Sequence, residues 1–145
     1  MKIKIIGIYQ LITGIFGILL MLLNIGQAIE NSELRFTVFL GIVLFFGLAF
    51  SGYALLRDFK NAAKYAIVAQ AIQVFGMVYN GSQYLFTGSA FISLVYSNNG
   101  ISLNYQMLPI AYNISKISDT LPLELKLFLF PLIFILFLSL KKIDF

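Results

Sequence analysis

The sequence predicts an all-α membrane protein: a bundle of four transmembrane helices, with a short β-hairpin and an amphipathic segment in the extracytoplasmic loop between helices 3 and 4. Three observations predict it. Of the 145 residues, 60% are apolar and 11% charged, against about 45–50% and about 25% in soluble domains. The apolar residues are gathered into runs of about 20, the length that crosses a hydrocarbon core of about 30 Å as a helix. All six acids (Glu30, Glu33, Asp58, Asp119, Glu124 and Asp144) fall between these runs or at their ends. With a mean hydropathy of +0.92, residues 1–145 read as one integral membrane domain, and no stretch remains to bury a soluble core of its own.

The first span is expected over residues 3–25. Lys2 and Lys4 precede an apolar run from Ile5 to Leu23. Gly26-Gln27-Ala28 loosely resembles a signal cleavage site, but the run exceeds the usual apolar region of about 7–15 residues in a signal peptide. Gly7, Gln10, Gly14, Gly17, Met21 and Asn24 recur at spacings of three and four and share one helical face. Small residues let a second backbone approach closely, which is how helices associate in lipid. After a polar link at residues 27–35, the second span covers 36–56, where Gly41, Phe45, Leu48 and Gly52 share a face. Gly7, Gly14, Gly17, Gly41 and Gly52 are therefore the expected helix-packing positions.

The third span is expected over 62–86, after a tight basic connection containing Arg57, Lys60 and Lys64. Ala66, Gln70, Gln73, Met77, Asn80 and Tyr84 alternate in spacings of four and three, the period of a bundle seam. An amide facing lipid leaves donors and acceptors unpaired at several kcal/mol each. Gln70, Gln73 and Asn80 should thus turn inward to meet Gln10 and Asn24, forming a polar seam or an amide-lined cavity.

The outer loop, 88–121, changes character. Ile92–Ser97 and Ile101–Gln106 alternate apolar and polar residues around Asn98-Asn99-Gly100. Asn-Gly supplies positive φ cheaply, so a hairpin is predicted, with Ile92, Leu94 and Tyr96 on the same face as Ile101, Leu103 and Tyr105. A short helix after Pro109 would line up Ile110, Ile114 and Ile117 at the membrane interface. Tyr96, Asn98, Asn99, Gly100, Tyr105 and Tyr112 make this loop the candidate partner-binding surface. The last span, 122–142, opens at Pro122 and contains Pro131, which should kink the helix or act as a hinge.

With four spans, Lys2, Lys4, Arg57, Lys60, Lys64, Lys141 and Lys142 fall on one side, and Arg35, Lys116 and Lys126 on the other. The excess of basic residues places both termini in the cytoplasm. Richness in Ile, Phe, Asn and Lys suggests a low-GC bacterial gene, and hence the inner (cytoplasmic) membrane.

The chain has no His, Cys or Trp. That removes the commonest metal ligand and neutral-pH proton carrier, and all thiolate chemistry. No metal, cofactor or catalytic residue is expected. No acid lies inside a span, as proton-coupled carriers require; small multidrug exporters of this size rely on an acid in the first helix, where this chain has Gln10. No basic patch with stacking groups points to nucleic acid. The expected function is non-catalytic association in the bilayer, as an accessory or scaffold subunit bound to a membrane protein partner or to further copies of itself. The alternative is a channel or carrier that passes a small uncharged or anionic solute along the amide seam.

Overall fold

A computed structural model describes residues 2–30, 32–79, 82–88, 91–97, 100–106, 111–116 and 123–140. The order of elements is α1 (Lys2–Leu23), α2 (Ile25–Glu30), α3 (Ser32–Leu56), α4 (Ala62–Ala71), β1 (Phe75–Tyr79), β2 (Ser82–Thr87), β3 (Phe91–Ser97), β4 (Gly100–Gln106), β5 (Ala111–Lys116), β6 (Glu124–Phe128) and α5 (Leu129–Leu140). The four-span helical bundle is thereby overturned. Two helices, over Ile3–Leu23 and Arg35–Leu56, are long and apolar enough to cross a membrane. The rest of the expected bundle is a six-stranded antiparallel sheet flanked by two short helices.

Helices α1 and α3 form an antiparallel hairpin whose seam is built from glycine. A methyl group added at Gly14 would lie 2.4 Å from the backbone nitrogen of Ala49, and one at Gly52 would lie 2.5 Å from the backbone nitrogen of Leu11. Backbone meets backbone there, so van der Waals contact is gained along the whole crossing. Gly7 meets the carbonyl of Gly52, Gly17 receives the ring of Phe45, and Gly41 lies under Met21 and Tyr112. The small-residue face of α1 is thus occupied within the chain. The polar link expected over residues 27–35 is helical in its described residues, as α2 and the start of α3.

Helix α4 stops at Ala71 because the residues beyond it suit a strand. In β1, Phe75, Met77 and Tyr79 are exposed while Gly76 and Val78 are buried, a period of two. Tyr79 pairs with Ser82, and the intervening sequence is Asn80-Gly81, the preferred dipeptide of two-residue hairpins. The third span therefore ends halfway, and Met77 faces Tyr84 across a hairpin, not along a helix.

The β3–β4 hairpin forms with the expected residues on one face, and in its register Ile92 faces Tyr105, Leu94 faces Leu103 and Tyr96 faces Ile101. The helix expected to include Ile114 does not form, because Ala111–Lys116 is strand β5 and pairs along β2; Pro109, Ile110 and Ile117 lie outside the described residues. The last span is divided between β6 and α5, which has 12 residues. Pro131 is its third residue, in a first turn whose N–H groups have no intrahelical acceptor, so no kink or hinge is called for. Lys141 and Lys142 are outside the described residues.

The strand order is β4-β3-β6-β1-β2-β5. One core lies where Ile6, Leu55, Ala62, Ala66 and Leu138 meet, joining α4 and α5 to the ends of α1 and α3. The other fixes the sheet to the middle of the hairpin, through Phe45 and Leu48 of α3 and Phe86 of β2. Tyr112 of β5 stacks edge-on against Phe45 and Phe86, and its hydroxyl donates to the carbonyl of Thr37 at 2.6 Å.

Two outcomes follow from this packing. Gly14→Ala should lower the unfolding free energy by about 1–3 kcal/mol, the usual cost of forcing atoms into a filled interior. Gly47→Ala should be neutral or slightly stabilising, since nothing lies within 4 Å of its added methyl. Thermal unfolding in detergent followed by circular dichroism checks the pair. Burial, then the neighbouring Tyr84, pushes the Tyr112 hydroxyl up to about 12. The folded state holds this proton more tightly than the unfolded chain, so its contribution is complete below about pH 10 and is lost as pH rises towards 12. Tyr112→Phe should flatten the fall in stability across that window.

Candidate functional site

The only polar side chains buried deep between the helices gather, among the described residues, where α1, α3 and α4 meet the end of β2. Gln10 and Thr13 come from α1, Ser51 from α3, Gln70 from α4, and Gln73 from the turn after it; all are buried. Gly88 follows β2 and enters the same place. A methyl group added to it would lie 2.6 Å from Cγ2 of Thr13, 3.0 Å from Leu48 and 3.1 Å from Oε1 of Gln73. Only a residue without a side chain brings the strand end this close to two helices and the turn after a third.

The peptide groups of Gly88 are held from both sides. Its N–H donates to Oε1 of Gln73 at 2.7 Å. Its carbonyl accepts from the hydroxyl of Tyr9, whose ring packs edge-on against Phe134 of α5 at 5.5 Å. Gln73 is anchored in turn, its Nε2 donating to the carbonyl of Ala69 at 3.0 Å. A side-chain amide thus takes over a backbone pairing that the ladder no longer supplies beyond Thr87.

Gln10 is less completely used. The Ser51 hydroxyl lies 2.8 Å from the carbonyl of Leu48 and 3.2 Å from Oε1 of Gln10. One hydroxyl proton cannot serve both acceptors at full strength. A half-turn of the Gln10 amide would let its NH2 donate to Ser51 while Ser51 donates to Leu48. Either way one end of the Gln10 amide has no partner; as placed it is Nε2. Nε2 of Gln70 and the hydroxyl of Ser93 are likewise buried without a partner. A buried donor left unpaired costs about 1–3 kcal/mol.

Of the five amides expected to form one seam, the structure brings Gln10, Gln70 and Gln73 into the interior. Asn24 is exposed and returns its Nδ2 to the carbonyl of Leu20 in its own helix, at 2.8 Å. Asn80 lies outside the described residues. Of the expected partner-binding residues, Tyr96 and Tyr105 are exposed and Gly100 sits at φ +105°, a conformation that favours glycine. Asn98 and Asn99 lie outside the described residues, and Tyr112 turns inward onto α3. Tyr9, Thr13, Ser51 and Gly88 belong to the polar node without having been singled out in the sequence; the best available signal was the hydroxyl residues placed at membrane depth beside Gln10.

A second feature lies on the outer side of the sheet. Directly paired residues share a face, so Met77, Leu125, Tyr96 and Ile101 form one continuous row across four strands. Phe75, Leu127, Leu94 and Leu103 form the next. The rows end on β4, where Ile101 is 76% and Leu103 67% exposed. Strand β4 is an edge of the sheet, and its sequence, Gly-Ile-Ser-Leu-Asn-Tyr-Gln, holds no charge and no proline.

No family model, curated protein or solved structure matches the chain.

The two buried glutamines of α4 and its exit turn should respond oppositely to the same change. Gln73→Leu leaves the Gly88 N–H unpaired and should cost about 1–3 kcal/mol. Gln70→Leu removes an already unpaired donor and should be neutral or stabilising. Chemical unfolding of both variants in mixed micelles checks this contrast.

Proposed function

We propose that this chain is a non-catalytic membrane protein that acts by association, recruiting a protein partner through the outer face and free edge of its sheet. The α1–α3 hairpin is the anchor. Its two open ends lie together, as the 3.3 Å pair between Lys4 and Asp58 requires, and carry Lys4, Arg57, Lys60 and Lys64. That excess of basic residues favours a cytoplasmic position for this end in an inner membrane.

The observation that carries the reading is the pair of apolar rows ending on β4. Contiguous apolar surface of this kind marks an interaction site in most folded proteins. Natural edge strands are usually blunted by lysine, proline or a bulge, and β4 has neither charge nor proline. Among the described residues no strand pairs along its outer edge, and unpaired backbone groups cannot face hydrocarbon, where open sheet edges do not occur. The edge therefore needs water or another protein, and the rows beside it need to leave water. A partner strand laid along β4 meets both needs, with affinity from main-chain hydrogen bonds and specificity from the alternate side chains.

The amide node favours a second reading, a path for a small uncharged or anionic solute, on the strength of the unpaired Nε2 groups of Gln10 and Gln70. Flux into liposomes that is abolished by Gln10→Leu with Gln70→Leu would support transport over association.

The test of the first reading is recovery of a tagged chain from native membranes in a gentle detergent, read by mass spectrometry. The wild-type chain should bring down a stoichiometric membrane protein or a second copy of itself. Ile101→Lys with Leu103→Lys, both at exposed positions, should fold normally and lose that partner. A lone wild-type monomer, or a partner retained by the double variant, would sink the reading.

A further inference from the structure

We propose that the groove between α3 and α4 holds one acyl chain of an anionic phospholipid, with its headgroup at the basic turn joining the two helices. The groove has a volume of about 340 Å³. Val43, Gly47 and Leu48 of α3 and Val68 and Ala69 of α4 line it, with Phe86 of β2 behind them. The inference rests on the bilayer placement of the hairpin given above, and is independent of the partner surface on the sheet.

Three observations point to this occupant. The first is the opening at Gly47, where an added methyl would meet nothing within 4 Å. The other α1–α3 glycines sit against neighbouring atoms, so Gly47 does not serve close helix packing and instead leaves room along an otherwise bulky helix. Interiors are packed as densely as organic crystals, and an apolar hollow of this size on a lipid-facing side is filled by what surrounds it.

The second is length. Helix α4 has 10 residues, and at 1.5 Å per residue it extends about 15 Å, half of a hydrocarbon core of about 30 Å. The groove it borders is therefore one leaflet deep, the reach of a single acyl chain. It runs from Phe50 and Tyr65, whose rings lie 5.9 Å apart at the end nearest the turn, to Ile72 and Phe86.

The third is charge at the mouth. The connection between the helices and the first turn of α4 carry Arg57, Lys60 and Lys64 against a single acid, Asp58, which is paired with Lys4. Lys60 and Lys64 are exposed and have no carboxylate partner among the described residues. Basic residues at the surface attract anionic headgroups, and a chain held below them fixes the lipid at two points.

The experiment uses the full chain reconstituted in vesicles of phosphatidylcholine and phosphatidylglycerol in equal amounts, then released into mild detergent for native mass spectrometry. The wild type should retain one phosphatidylglycerol. Gly47→Phe, which starts from an open Cβ position and places a ring in the groove, should reduce retention by roughly tenfold or more, the loss of only a few buried methylenes. Gly26→Phe, at another glycine with open space around it, should retain the lipid. Lys60→Gln with Lys64→Gln should keep a bound lipid but lose the preference for phosphatidylglycerol. Equal retention by Gly47→Phe and wild type, or equal loss in Gly26→Phe, would overturn the proposal. Alkaline extraction of the same vesicles separates the two levels. A chain that stays inserted yet retains no lipid overturns the groove alone, and a chain that is extracted overturns the bilayer placement on which it rests.

Discussion

The end of β2 is pinned to the helices through one peptide segment at Gly88, beside the aromatic core that also holds the sheet on α3. Gly88 gives its N–H to Gln73 and its carbonyl to Tyr9, so one residue ties β2 to the turn after α4 and to α1. Backbone polar groups that leave a ladder inside an apolar interior must find partners, because each unpaired one costs as much as a lost hydrogen bond. Here a glutamine and a tyrosine supply them, and the absence of a side chain at Gly88 makes the approach possible. The aromatic contacts then follow, since Phe86 and Tyr112 lie on strands beside this attachment and meet Phe45 of α3.

This arrangement divides the buried amides by role. Gln73 is committed to holding the strand end. Gln10 and Gln70, 0% and 1% exposed, keep unpaired Nε2 atoms. Groups of this kind are costly in a static interior, so the node combines a fixed joint with reserve hydrogen-bonding capacity beside it. Two apolar grooves lie outside this node, one lined by α3, α4 and Phe86 of β2, the other by α2 and the start of α3.

Much of the helical hairpin was legible in the sequence. Long apolar runs gave α1 and α3, and the glycine spacing anticipated which faces approach. The misreading began at Ile72. Ala66, Gln70 and Gln73 follow a helical period, and extending it to Met77, Asn80 and Tyr84 produced a span that is not there. Two local signals pointed the other way: the alternation of Phe75, Met77 and Tyr79, and Asn80-Gly81 between two such runs. The stretch Asn98-Asn99-Gly100 correctly placed the β3–β4 hairpin. Hydropathy outweighed the turn signal at residue 80 because a strand apolar on both faces resembles a stretch of buried helix in composition. Residues 122–142 failed for the same reason, since Leu125 and Leu127 continue the apolar run of α5. The joint at Gly88 was out of reach, because its contact with Tyr9 spans 79 residues and depends on topology that no local pattern encodes.

Strand β6 lies between β1 and β3, although it is the last strand in the sequence. Among the described residues the hairpins β1–β2 and β3–β4 have no pairing with each other, and β6 joins them. While the chain is being made, the two halves of the sheet must therefore wait with facing edges open until residues 124–128 leave the ribosome. Such non-local closure is slow and leaves unpaired strands exposed in the meantime. The apolar hairpin formed by α1 and α3 is synthesised well before that moment. If this hairpin inserts early as the proposed anchor, the unfinished halves stay tethered to one place and at low effective concentration with respect to other chains, and the order of synthesis itself would guard the sheet against pairing with the wrong molecule.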